Sequence, residues 1–185
     1  MAKGSKSRRR SGCPVSAALD LVGDRWSLLL VRDMMVRGYR TFREFQRSGE
    51  GIATNILADR LQKLEAGGVV LRESSAEDGR STHYRLTAKG IALAPVLLEF
   101  LIWGAHHEKT DAPCGAIEEM ERNRAAVIAE TYRRWEQRDP TPLLPPFTRK
   151  SKARKNPIPR KEKQSDEGVY VSELSRQVRR GAALL

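Results

Sequence analysis

Two cysteines and three histidines are the residues of this chain whose types most readily do chemistry. Cys13 precedes Pro14 at a predicted helix start and follows Arg8, Arg9 and Arg10. A helix N-terminus and nearby positive charge both favour thiolate over thiol, and the thiolate is the form that reacts with oxidants and electrophiles. The plainer alternative is a small, half-buried residue where a helix begins. Cys114 lies in a Pro/Gly loop, and nothing in the sequence pairs it with Cys13. His106 and His107 are adjacent, so on a helix they point about 100° apart and do not serve one metal in the usual i, i+4 manner. His83 falls on a predicted strand, where a surface histidine is the default. The sequence contains no glycine-rich phosphate loop, nucleophile elbow or paired-carboxylate arrangement. It therefore predicts no catalytic residue, metal site or cofactor.

A second kind of chemistry, recognition by hydrogen bonding, is concentrated on one predicted helix, residues 54–66. Leu57, Leu61 and Leu64 recur at spacings of four and three and share a face that packs inward. The opposite face carries Asn55, Asp59 and Gln62, flanked by Ala58 and Lys63, with Thr54 at the first turn and Arg60 at the edge. These side chains are mostly short or amide-bearing, as a helix needs if it is to approach base edges closely and offer donors and acceptors there. Arg60 reads as a phosphate contact. Gly67 and Gly68 end the helix. Val69, Val70 and Leu71 then open a strand, and Thr82 to Leu86 form its return, with Tyr84 and Leu86 on one face by period two. The segment between them, Glu77-Asp78-Gly79-Arg80-Ser81, is turn-forming, and Arg80, beside Ser81, is its natural phosphate or minor-groove contact.

From Thr41 to Ala88 the order is thus helix, turn, helix, two strands and the start of another helix. That is the pattern of a winged helix-turn-helix, which presents one helix to a DNA major groove and a hairpin to the flanking DNA. An amphipathic helix followed by a hairpin also occurs in proteins that touch no nucleic acid, and polar faces are usually just solvated.

Four separated blocks decide between these readings: CPVSAALDLVGDRWSLLLVRDMM (13–35), YRTFREFQ (39–46), GIATNILADRLQKLEAGGVV (51–70) and YRLTAKGIALAPVLLEFLIWG (84–104). In order and spacing they resemble the HxlR type of winged-helix transcriptional regulator, related to the MarR type. The resemblance implies a homodimeric repressor or activator without enzymatic activity, acting on double-stranded DNA at a pseudo-palindromic operator. Its two recognition helices would meet half-sites about 34 Å apart. In several regulators of this type a cysteine at the position of Cys13 senses oxidants or electrophiles, and a small-molecule or oxidant effector is an expectation of the same kind. The wing departs from the pattern: DGRST stands where a proline-containing turn is common. Nothing after about Thr110 is covered.

The elements around the recognition helix read as scaffold. Trp26, Leu29, Leu30 and Met34 follow helical spacing after Gly23, with Asp24 as N-cap. Thr87 caps a helix that carries Ile91, Leu97, Leu98, Leu101, Ile102 and Trp103, a surface too broad for one small domain to cover and so an argument for a partner helix. Residues 91–105 contain Glu99 and fall short of the roughly 20 apolar residues a membrane span needs. A further helix is predicted from Ala116 to about Arg138, stopped by Asp139-Pro140-Thr141-Pro142, and either lengthens a dimer interface or folds back over the domain.

The net charge of +11 resides in the tails. Residues 1–12 carry Lys3, Lys6, Arg8, Arg9 and Arg10, and residues 148–163 carry a run of lysines and arginines against Glu162 alone, leaving 13–147 near neutral. Overall basicity is therefore no argument that the folded part binds DNA. The expected organisation is a basic, disordered arm (1–12), a winged-helix domain with dimerisation helices (13–110), an appended amphipathic helix (111–139) and a Pro-rich, basic, mostly disordered tail (140–185). The fold class is mainly α with a small β-hairpin. Val171, Leu174 and Val178 have the spacing of a short helix that forms on contact with a partner. The N-terminal residues lack the apolar run of a signal peptide, and the cysteine usage suits the reducing cytoplasm, with association to the nucleoid through DNA. Two rival readings remain: a thiol-based sensor that signals through protein contacts, and a nonspecific nucleic-acid binder driven by its tails.

Overall fold

The computed structural model describes residues 12–74, 82–143, 175–177 and 179–180. Arg80 and Ser81 at the wing tip, both basic tails and the three arginines before Cys13 lie outside the described residues.

Helix α1 (Pro14–Val22) runs into α2 (Arg25–Val36), whose N-cap is Asp24, accepting from the backbone N–H groups of Trp26 and Ser27. The short α3 (Phe42–Gln46) opens with a reciprocal capping box between Thr41 and Glu44. Helix α4 (Thr54–Ala66) occupies the predicted span and ends as Gly68 takes φ of 68°, which only glycine adopts without cost. The hairpin follows as β1 (Val70–Ser74) and β2 (Thr82–Leu86), antiparallel with Val70 opposite Leu86. An isolated bridge joins Thr41 to His83, and the Tyr84 N–H donates to the Arg40 carbonyl at 2.7 Å, so the segment before α3 edges the hairpin as a rudimentary third strand. Leu57, Leu61 and Leu64 are buried with Leu30, Val31, Phe45, Tyr84 and Leu86 in one core, where Phe45 meets Tyr39 and Tyr84 edge-on.

Thr87 caps α5 (Ala88–Ile91) as expected, and α6 (Ala94–His107) continues from it. Together the two reach 20 residues, Ala88–His107, enough in length and composition to cross a membrane and longer than the sequence reading allowed. The apolar surface of this stretch divides in two. Ile91 joins the main core, while Leu98 and Ile102 enter a second cluster with Ala116, Met120, Ala126 and Val127. The covering residues belong to α7 (Cys114–Arg122) and α8 (Arg124–Glu136). The single helix predicted from Ala116 is two, broken at Asn123, which leaves helical geometry at φ −121° and ψ 36° while its side-chain amide donates back to the Glu119 carbonyl. Cys114 is the first residue of α7 and not a loop residue.

Of the two placements open for the extension, the structure has it folded back. The Trp135 indole N–H donates to the Leu86 carbonyl at 2.7 Å, and Arg85 both donates to the Trp135 carbonyl and lies over its ring. Gly38, at φ 70°, faces Pro140 so closely that a Cβ would meet its carbonyl oxygen at 2.4 Å. Arg134, nearly buried, donates to Gln177, so the helical residues 175–177 contact the same chain. Trp135→Phe removes the indole donor and leaves the Leu86 carbonyl unpaired. It is expected to lower unfolding stability by about 1–3 kcal/mol, read from the midpoint of urea denaturation.

Candidate nucleic-acid interface

The inward leucine stripe of α4 fixes what the helix shows to solvent. Thr54, Asn55, Ala58, Asp59 and Gln62 are all exposed, on successive turns of one side. Nothing larger than an amide or carboxylate rises from that strip, so the helix backbone is free to approach a groove closely. The sequence assigns six residues to one surface, these five and Lys63; the five are exposed together, while Lys63 is half-buried.

Lys63 and Arg60 stand at its edge. Asp24, the cap of α2, draws both: Lys63 Nζ lies 3.4 Å from Asp24 Oδ2, and Arg60 Nε lies 3.4 Å from Asp24 Oδ1 in an ion pair without hydrogen-bond geometry. Arg60 Nη1 is also 3.4 Å from Asp59 Oδ2. The carboxylate at position 59, an awkward neighbour for DNA phosphates, thus has a cation beside it. Partial burial pushes the Asp24 carboxyl up, but hydrogen bonds from Ser27, the charge of Arg60 and a bond from Lys63 outweigh it and hold the group below its ordinary value. Asp24 was legible as a cap, whereas its hold on α4 spans too much sequence for local patterning to reveal.

Away from this strip, five large apolar side chains among the described residues are each more than half exposed: Val15 and Leu19 on α1, and Val96, Phe100 and Trp103 on α6. Phe100 and Trp103 stack with ring centroids 6.3 Å apart. Trp103 was anticipated on an unpartnered surface. Val96 and Phe100 were missed, although spacings of four and three along α6 were there to find. Cys13 is exposed at the N-cap of α1, and the backbone N–H groups of Ser16 and Val15 hold its thiol below the ordinary value. Among the described residues no group of His, Cys, Asp and Glu is arranged to hold a metal.

This geometry has relatives. Residues 21–112 match the HxlR-like helix-turn-helix family. The HTH-type transcriptional regulator YybR of Bacillus subtilis is 36% identical over 95 residues, 51% of this chain and 75% of that protein. The chain belongs to the HxlR-like helix-turn-helix family. The HTH-type transcriptional regulator Rv3095 of Mycobacterium tuberculosis is 36% identical over 104 residues, 56% of this chain and 65% of its own length. Among solved structures, PA1607 superposes with a TM-score of 0.51 at 44% identity, covering 55% of this chain and 70% of that one. In this HxlR-like chain the family span holds α2 to α6 and all the described residues of the strip. Cys13 precedes it, and α7 and α8 follow it.

Asp24→Ala removes a cap and unties Arg60 and Lys63, with an expected loss of about 1 kcal/mol at neutral pH by chemical denaturation. Because the folded carboxyl titrates below its unfolded value, its contribution is present above the ordinary carboxylate range and fades as pH falls through the depressed one. The gap between wild type and variant should therefore close on acidification.

Proposed function

We propose that this protein is a transcriptional regulator, repressor or activator, that binds a pseudo-palindromic operator as a homodimer in the cytoplasm. It works by binding and not by catalysis. The observation that carries this reading is the exposed strip of α4, held out by a buried leucine stripe on a helix-turn-helix framework. In the assigned roles Thr54, Asn55, Ala58, Asp59, Gln62 and Lys63 face the major groove, Arg60 serves phosphate at the flank, and Arg80 with Ser81 meets DNA at the wing. The exposed faces of α1 and α6 supply the dimer contact, since apolar patches of this kind on a soluble domain mark association surfaces.

Gel-shift titration of the full chain on its own upstream region, with competitor DNA present, tests this. Asn55→Ala is expected to weaken specific binding by about tenfold or more, the worth of one good base contact, with little effect on competitor binding. Arg80→Ala should weaken both and lower the salt slope by about 1. Equal losses for Asn55→Ala would remove it from base readout. Neutralising the lysines and arginines of 148–163 separates the tail-driven alternative, because only tail-driven binding collapses. Phe100→Asp should shift the sedimenting species from dimer to monomer.

A second reading, thiol sensing, is favoured by one observation: Cys13 is exposed on a helix N-terminus with its thiol held low. Alkylation of Cys13 should proceed at a pH where an ordinary thiol is still protonated. Operator binding by Cys13→Ser should ignore oxidants that release the wild type. Oxidant response retained in that variant would end the sensing assignment.

A further inference from the structure

Helix α8 closes with a Schellman turn: the Asp139 N–H donates to the Arg134 carbonyl at 2.9 Å and the Arg138 N–H to that of Trp135 at 3.3 Å. The left-handed position of such a turn is usually glycine. Here it is Arg138, at φ 53° the only non-glycine among the described residues with a positive φ. An arginine held there carries a backbone cost that glycine would avoid, and outliers of this kind gather where a side chain has a task. The Arg138 guanidinium is more than half exposed and lies 3.5 Å from Glu73 on β1, the strand that leads to the wing tip.

Two further guanidinium groups stand beside it. Arg40 donates to the Arg138 carbonyl at 2.7 Å, and Arg85 of β2 to the Trp135 carbonyl at 3.0 Å. The carboxylates nearby do not neutralise this group. Asp139 stands 3.7 Å from Arg133 and 3.8 Å from Arg134, and Glu44 accepts from the backbone N–H groups of Arg40 and Thr41. Among the described residues Glu73 is the one carboxylate paired with any of the three arginines. Burial and the charge of Arg138, with a further push from Arg40, disfavour the Arg85 cation against the pull of Glu73, a repulsion that an outside anion would relieve. The bridge from Thr41 to His83 sets Arg40 beside the strand that returns from the wing tip, so the cluster lies along the flank of the wing.

We propose that Arg138 and Arg40 contact the phosphate backbone of duplex DNA beyond the wing, so that the extension enlarges the DNA interface. Guanidinium forks on neighbouring residues match successive phosphates, which fix a protein on the duplex without reading sequence. Arg138 lies outside residues 21–112, so this contact is supplied by the extension and not by the family span. The inference rests on the DNA-binding reading above and adds a surface to it.

Gel-shift titration of the full chain over a salt series, on its own upstream region and on an unrelated duplex, tests the assignment. Arg138→Gln should lower the slope of log affinity against log salt by about 1, and Arg40→Gln/Arg138→Gln by about 2, equally on both duplexes. Arg138→Lys keeps the charge and should keep the slope. Arg138→Gly separates contact from scaffold: it relieves the left-handed backbone, so the urea midpoint should hold or rise while the slope falls as it does for Gln. Hydroxyl-radical footprints of the double variant should recede at both outer ends of the region that the wild type protects. An unchanged slope in Arg138→Gln, a slope lost in Arg138→Gly only together with the urea midpoint, or a footprint of unchanged length would each overturn the proposal. Failure of the operator reading has a different signature, since the wild type would then bind both duplexes alike while the slope still reports on Arg138.

Discussion

Leu57, Leu61 and Leu64 leave water together only if α4 lies with that stripe against α2, Phe45 and the base of the hairpin. A helix has one such stripe to bury, so its opposite side is committed to solvent by the same act. The polar strip from Thr54 to Gln62 is therefore a consequence of core packing as much as of its own residues. Burial of three leucine side chains, worth about 1.5–3 kcal/mol each, also fixes the rotation of the helix about its axis. A recognition surface needs a fixed rotation, because base contacts are won or lost over fractions of an ångström.

Asp24 adds the second coordinate. One carboxylate caps α2 and pairs with Arg60 and Lys63, tying the start of one helix to the flank of the next. The ion pairs are half exposed and individually weak. Their effect is to hold two cations beside the strip. The same carboxylate lowers the positive charge at that edge, so the α4 surface is nearly balanced in charge.

What the sequence revealed follows from the range of each interaction. The bounds of α4, the hairpin and the caps at Asp24 and Thr87 depend on residues a few positions apart, and all were legible. The break at Asn123 was not, because the apolar periodicity of 116–138 passes through it and only the side-chain bond to Glu119 marks the end of a turn. The split of the α6 surface into a covered half and a bare half depends on where α7 and α8 dock. Apolar content alone could not decide which side of α6 each residue faced. The pairing of Arg60 and Lys63 with Asp24 was not legible, because the partner is 39 residues away in the case of Lys63.

The span that matches the family ends at residue 112, yet the packing does not. Leu98 and Ile102 lie under α7 and α8, and the Leu86 carbonyl at the foot of the wing is satisfied by Trp135. The family span and the packed unit thus have different boundaries in this chain. A chain ending at the family boundary would bare Leu98 and Ile102 to water and leave the Leu86 carbonyl without its indole donor, so the family domain in this protein is finished by residues that lie outside it.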